Sequence, residues 1–335
     1  MTSNPILVEV HRGPQIESRH SGAFAVCRPD GSVVASGGDI DAPILPRSAV
    51  KAIQALPLVE SGAARAYGFG ARELALVCSS HSAEPVHVDT VRQMLEAAGL
   101  SDAALECGGH WSFKQRVLLA QAREMRERPG PAFNNCSGKH TGFLCTCAHE
   151  GVRTEGYVRP DHTAMRVVRE ALEEVLQVPH EDEQRAVDGC SIPTYAVPLR
   201  ALAGGFARMA TGDGLTAGRA DAARTLLDGC MAEPLMMAGT GRFCTVAMEA
   251  VPGRLFAKTG AEGVFCGALP ELGLGVALKC DDGATRASEV MMAAIARALL
   301  GDDRLTSLAE PTVRNWNGWE VGRIRPTADL TDRRT

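Results

Sequence analysis

LFAKTGAEGVFCGALPELGLGVALK, residues 255–279, reads as three strands in succession: Leu255–Lys258, Val264–Leu269 and Leu274–Lys279. Short apolar runs broken by glycine-bearing turns are the signature of paired strands. Working outward, Phe243–Val251 carries a further strand signal after Gly241. At the other end of the chain Ile6–Val10 reads as a strand, and Ala23–Cys27 and Val33–Ser36 flank the turn Pro29-Asp30-Gly31. Between these ends the pattern is mainly helical. Leu74–Cys78 is the exception, a short apolar run that reads as a buried strand. Pro85 suits a helix start and Gly99 a helix end, with Val88, Val91 and Leu95 at core spacing. Asp161 is placed to cap a helix whose Met165, Val168 and Leu172 share one face. Helical patterns also cover 194–210, 217–232 and, after Asp281-Asp282-Gly283, Ser288–Leu300.

Strands from both chain ends and helices from the middle predict an α/β (α+β) fold: one antiparallel sheet with an inserted helical lobe. Residues 1–330 form a single catalytic unit on this reading. The sheet lobe takes about 1–46 and 240–330, the helical lobe about 80–235, and 331–335 is a polar tail expected to fray.

The bulk numbers exclude some functions. A chain of 335 residues can bury about 75% of the surface its unfolded form exposes. The aromatic fraction of 4% and net charge of -5 supply neither stacking platforms nor a basic footprint for nucleic acid. The start, Met1-Thr2-Ser3-Asn4-Pro5, lacks the basic and apolar regions of a signal peptide, and no apolar run reaches membrane-spanning length. Eleven scattered cysteines, an odd count, fit free thiols in a cytoplasmic protein better than a disulfide framework.

The chemistry starts at Ser48-Ala49-Val50-Lys51. On a helical turn, positions i and i+3 share a face, so hydroxyl and amine are neighbours. A serine needs a base to become a nucleophile, and a neutral lysine serves. Alone the motif is weak, and an exposed helix turn explains it as well. Lys258-Thr259-Gly260 changes that, because Lys-Thr-Gly on a strand edge is the partner element of Ser-x-x-Lys in penicillin-recognising enzymes. The polar loop Cys78-Ser79-Ser80-His81-Ser82 could supply a second hydroxyl that relays protons, or could simply cap the helix at Pro85. Asn134–His140 and Asp188-Gly189-Cys190 have the composition of a metal or substrate pocket, without the Cys-x-x-Cys spacing of a structural zinc site. Buried structural cysteines remain the plainer account of them. Gly138-Lys139 is no phosphate loop: Phe133 stands at the required upstream glycine and His140 replaces Ser or Thr.

Taken together, Arg47-Ser48-Ala49-Val50-Lys51, Cys78–Ser82, Cys107-Gly108-Gly109-His110, Asn135–His140, Asp188-Gly189-Cys190, Gly241–Thr245 and Lys258 resemble the class 3 (rhizobial-type) L-asparaginases in order and over almost the whole chain. The resemblance implies a fold like that of serine β-lactamases and penicillin-binding proteins, and hydrolysis of L-asparagine to L-aspartate and ammonia. It implies two Ser–Lys pairs, Ser48 with Lys51 and Ser80 with Lys258. It further implies a Zn2+ held by Cys136, Lys139 and Cys190 that helps place substrate, and a pocket lined by Arg47, His140 and Asp188. The family forms homodimers. Its members often carry Lys-Leu-Gly where this chain has Lys258-Thr259-Gly260, a change that bears on hydrogen bonding near the amide. Which of Ser48 and Ser80 attacks is left open by the sequence. Two rivals stand beside this reading: a β-lactamase or D-amino-acid peptidase, and a zinc- or amino-acid-binding sensor without turnover.

Overall fold

The computed structural model describes residues 4–125 and 127–331. The chain folds into two compact units. One takes the residues up to Val50, Ala196–Gly214 and those from Val246 on; the other takes Lys51–Tyr195 and Leu215–Thr245.

The first unit is built on an antiparallel sheet. Its strands run in the order Thr312–Arg314, Glu320–Pro326, Ile6–Arg12, Gln15–Cys27, Leu274–Cys280, Val264–Leu269 and Phe256–Thr259, and Val33–Gly37 pairs Gln15–Cys27 off this path. The long strand Gln15–Cys27 joins the two halves. Its first part pairs Ile6–Arg12, and its second part pairs both Leu274–Cys280 and Val33–Gly37. Two glycines show how each face is covered. A Cβ on Gly275 would stand 2.0 Å from Ala203 O of the helix Leu199–Thr211, whereas a Cβ on Gly267 would meet Met292 of the helix Thr285–Leu300 at 3.2 Å. Gly267 pairs Val276, the neighbour of Gly275, so the two helices lie on opposite faces. Phe24, Val26, Phe265, Val276 and Leu278 are fully or almost fully buried. Each such side chain contributes about 1.5–3 kcal/mol of apolar burial.

The second unit is helical, apart from a hairpin of Arg185–Val187 with Pro193–Tyr195. At its centre lies the helix Ser137–His149, whose residues from Ser137 to Cys145 are all buried. It approaches the helix Ala71–Val77 closely: a Cβ on Gly138 would stand 2.2 Å from Leu76 O. Only a glycine fits there.

Several expected elements are found with small shifts, among them Ile6–Arg12, Pro85–Ala97, Ala217–Ala232 and Val264–Leu269. Two expectations are corrected. Phe243–Ala250 is a helix rather than a strand, and Leu74–Val77 lies within the helix Ala71–Val77. Short apolar runs carry no period that separates the two forms, so tertiary packing decides. The helix Thr163–Leu176 is capped by His162, whose Nδ1 accepts from Ala164 N at 3.1 Å, and not by Asp161. The strands Thr312–Arg314 and Glu320–Pro326 were not expected. They flank Asn317-Gly318, a hairpin signal that would have found them. Residues 328–331 form a short helix, and the rest of the expected tail, 332–335, lies outside the described residues. Among the described residues all eleven cysteines are buried, and none forms a disulfide. No helix among the described residues is long and apolar enough to cross a membrane.

Candidate active site

The sheet unit contains a serine turn and a lysine strand. Arg47–Val50 is a single 3-10 turn, opened by a hydrogen bond from Ala49 N to Pro46 O at 3.0 Å. Arg47 holds φ 51°, a left-handed value uncommon for a residue with a side chain. Arg47 and Ser48 are half-buried, while Ala49 and Val50 anchor the turn in the core. The strand Phe256–Thr259 packs against this turn. Gly260 permits the approach, since a Cβ there would lie 2.9 Å from Pro46 O and 3.3 Å from the Ala49 Cβ. Thus the Lys-Thr-Gly element and the turn bearing Ser48 are neighbours. Lys258 is buried, pairs Cys266 in register, and its Nζ donates to Thr259 O at 2.7 Å. Burial pushes the Cys266 thiol up, against the pull of the Lys258 charge.

The helical unit begins at Lys51, the first residue of the helix Lys51–Gln54. Lys51 is fully buried; its Nζ donates to Ser79 O at 2.5 Å and to Ser80 Oγ at 3.1 Å. Both partners are neutral oxygens. The loop that presents Ser80 is held along its backbone, by Ser80 N to Met237 O at 3.0 Å and His81 N to Asn135 O at 3.2 Å. Arg242 adds a bond to Ser80 O at 3.3 Å. Ala83, with φ 56°, turns the chain into the next helix.

His81 and His87 buttress this loop as neutral rings. Backbone N–H groups fix both tautomers: Ala83 N donates to His81 Nδ1 at 3.1 Å, and Glu84 N donates to His87 Nδ1 at 3.2 Å. The proton therefore sits on Nε2 in each. His81 donates it to Ser137 Oγ at 2.9 Å, and His87 to Leu235 O at 3.0 Å. The rings stack with centroids 5.1 Å apart. Burial, reinforced for His81 by the facing His87, Lys51, His110 and Arg242, holds its pKa well below 6.5, and burial lowers that of His87 too. Glu84 ties the loop to the distant turn Gly239–Arg242, accepting from Thr240 N at 2.8 Å and Thr240 Oγ1 at 2.7 Å.

A third constellation gathers Cys136, Lys139, Asp188 and Cys190 within the helical unit. Cys136 precedes the helix Ser137–His149, where the positive end of the peptide dipoles favours a thiolate. A hydrogen bond from Cys190, helped by the charges of Lys51 and Lys139, holds the Cys136 thiol well below its usual range despite burial. Cys190 is pushed up in return, by that same hydrogen bond and by burial. Lys139 Nζ donates to Cys190 Sγ at 3.1 Å. Burial works against its charge, but the two sulfurs and Asp188 outweigh it and keep the ammonium. Asp188 sits at the tip of the short hairpin, its Oδ1 accepting from Gly189 N at 2.6 Å. Two thiols and an amine, buried and in mutual reach, fit a zinc ion, whose charge would replace the protons they now share.

His140, one residue on, is fully buried, and burial with the charges of Lys139 and Lys51 holds its pKa well below 6.5. Its Nδ1 meets Tyr157 OH at 2.7 Å, and that hydroxyl accepts from Glu106 N at 3.0 Å. Its Nε2 has no hydrogen-bond partner among the described residues. Tyr157 and Glu84 were not singled out from the sequence, because nothing in their local pattern distinguishes them. The two glycines of Cys107-Gly108-Gly109-His110 have backbone reasons. Gly108 takes φ 69°, and a Cβ on Gly109 would stand 2.0 Å from Pro129 O. The motif thereby sets His110, whose Nε2 accepts from Asn135 N at 3.0 Å.

Among the described residues, His20, Cys280 and Asp282 form one further group with metal-ligand chemistry. Its atoms are already committed. Asp282 accepts from His20 Nδ1 at 2.6 Å and from Cys280 Sγ at 2.9 Å, and Arg286 Nε donates to His20 Nε2 at 3.1 Å.

The sequence from residue 8 to residue 326 matches the family described as L-asparaginase II. No curated protein matches it. Among solved structures it is similar to a β-lactamase from Mycobacterium bovis, with 14% identity, 80% of this chain and 89% of that chain covered, and a TM-score of 0.34. It is also similar to a β-lactamase/D-alanine carboxypeptidase from Pseudomonas syringae, with 12% identity, 87% and 94% covered, and a TM-score of 0.39. A third is the protein titled Mglu in its native form, with 17% identity, 84% of this chain and 64% of that chain covered, and a TM-score of 0.45.

Proposed function

The chain belongs to the L-asparaginase II family, and from that premise we propose that it hydrolyses L-asparagine to L-aspartate and ammonia through an acyl-enzyme on Ser48. The observation that carries the mechanism is the buried amine of Lys51, three residues beyond Ser48 and hydrogen-bonded to Ser80 Oγ. In its neutral form Lys51 takes the Ser48 proton as the hydroxyl attacks the side-chain amide carbon. The tetrahedral intermediate collapses when that proton, passed on through Ser80, reaches the amide nitrogen and ammonia leaves. Water then gives a proton to Lys51 as it attacks the acyl carbon, and Lys51 passes that proton to Ser48 Oγ as the ester bond breaks and aspartate leaves. Lys258, paired with Ser80 in this scheme, supplies a second positive charge. One backbone N–H aimed at the developing oxyanion is worth about 3–4 kcal/mol.

Arg47, His140 and Asp188 are assigned to substrate binding, with the Asp188 carboxylate suited to the α-ammonium group and the Arg47 guanidinium to the α-carboxylate. Cys136, Lys139 and Cys190 would hold the zinc ion, which supplies Lewis-acid affinity for a substrate oxygen. We further assign a homodimer and a cytoplasmic location.

Thr259 favours one second reading, because Lys258-Thr259-Gly260 is the form found in penicillin-recognising enzymes. One experiment separates the two. Ammonia release from L-asparagine and nitrocefin hydrolysis are measured for the wild-type chain and for Ser48→Ala. Brisk ammonia release that collapses in the variant supports the amidohydrolase with Ser48 as nucleophile. A trapped acyl adduct on Ser80 instead would reverse the two serines. Nitrocefin turnover without ammonia release would replace the reading altogether.

A further inference from the structure

The helical unit contains a cavity whose lining includes none of Lys51, Ser80, Cys136 or Cys190. It has a volume of about 350 Å³, within the range of small-molecule sites. Its walls are mostly apolar and include Leu58, Phe143, Ala164 and Val168. Gln54 also lines it, and this side chain is only 4% exposed, with an Oε1 that has no hydrogen-bond partner among the described residues. A buried acceptor left bare is costly, and a ligand donor would relieve that cost.

The charged residues at the cavity are already answered. Glu60 is paired with Arg219 at 2.6 Å, the Lys139 ammonium is committed to Cys190 Sγ, and Glu150 is exposed to water. A charged ligand would have to shed its own hydration with no free counter-charge buried to meet it. We propose that this cavity is a binding site for an uncharged small molecule with an apolar body and one N–H or O–H donor, directed at Gln54 Oε1.

The placement gives the site consequences. Gln54 ends the helix that Lys51 begins, and Lys139 forms part of the cavity wall. An occupant therefore touches two helices that carry candidate active-site groups.

Indole and benzofuran test the proposal, since they share a shape and differ in the N–H. Saturation-transfer NMR on the full chain should show indole binding, with benzofuran roughly fivefold weaker for want of the hydrogen bond. Gln54→Leu should bring indole down to the level of benzofuran. Ala164→Trp, which fills the cavity, should abolish both signals while circular dichroism stays unchanged; Val167→Trp replaces it if that variant fails to fold. No indole signal, or equal signals in wild type and the filled variant, would overturn the site. Equal binding of indole and benzofuran would overturn the role of Gln54.

Discussion

Lys51 Nζ donates to Ser80 Oγ across 3.1 Å, and the two residues are 0% and 4% exposed. Lys51 is therefore joined to a serine 29 positions along the chain, as well as standing three residues after Ser48. If Ser80 passes the proton to the leaving group, Ser80→Ala should lower kcat by roughly 10²–10⁴-fold, the usual worth of a positioned proton carrier. Stability should fall by only about 1 kcal/mol, because Lys51 keeps its bond to Ser79 O. Steady-state ammonia release and urea unfolding of the same preparation measure both. A variant with the wild-type rate would remove Ser80 from the proton path.

The glycine in Asn135–His140 is required by packing. With Leu76 O 2.2 Å from a Cβ at position 138, Gly138→Ala must push two buried helices apart. A loss of about 3 kcal/mol or more is expected, at the upper end for overpacking. The urea midpoint should drop accordingly, and an unchanged midpoint would show that the helices separate at little cost.

Two buried histidines give stability a direction with pH. His81 and His87 have folded-state pKa values lowered below 6.5, chiefly by burial. Above 6.5 both are neutral whether folded or not, and their contribution is fully present. As pH falls below that value the unfolded chain takes up protons that the folded one resists, so stability is lost. The thermal midpoint should therefore decline on acidification from about pH 7 to pH 5. In His87→Asn the slope should be shallower, whatever its starting midpoint. An identical slope would mean that other groups control the acid limb.

Metal binding offers a separate test of the thiol cluster. Cys136→Ser and Cys190→Ser should each lose zinc, measured by elemental analysis of the purified protein, and lower affinity by roughly 10-fold or more at a site of few ligands. If the ion serves substrate placement, KM for asparagine should rise more than kcat falls. Zinc retained in the Cys136→Ser, Cys190→Ser double variant would assign the metal elsewhere.

Some of this was legible before folding was considered. The three strands of 255–279, the Pro29-Asp30-Gly31 turn and the helix 217–232 follow from local apolar patterns and turn chemistry, which act over a few residues. Ser48, Lys51 and Lys258 were visible as motifs, and Cys136, Lys139 and Cys190 through the family resemblance. Tertiary packing decided the rest. It made helices of Phe243–Ala250 and Ala71–Val77, because a short apolar run is satisfied by either form until its neighbours arrive. It joined Lys51 to Ser80, and Lys139 to Cys190 across 51 positions. Hydrogen bonds of that kind depend on where the backbone carries each side chain, and no local period encodes that distance.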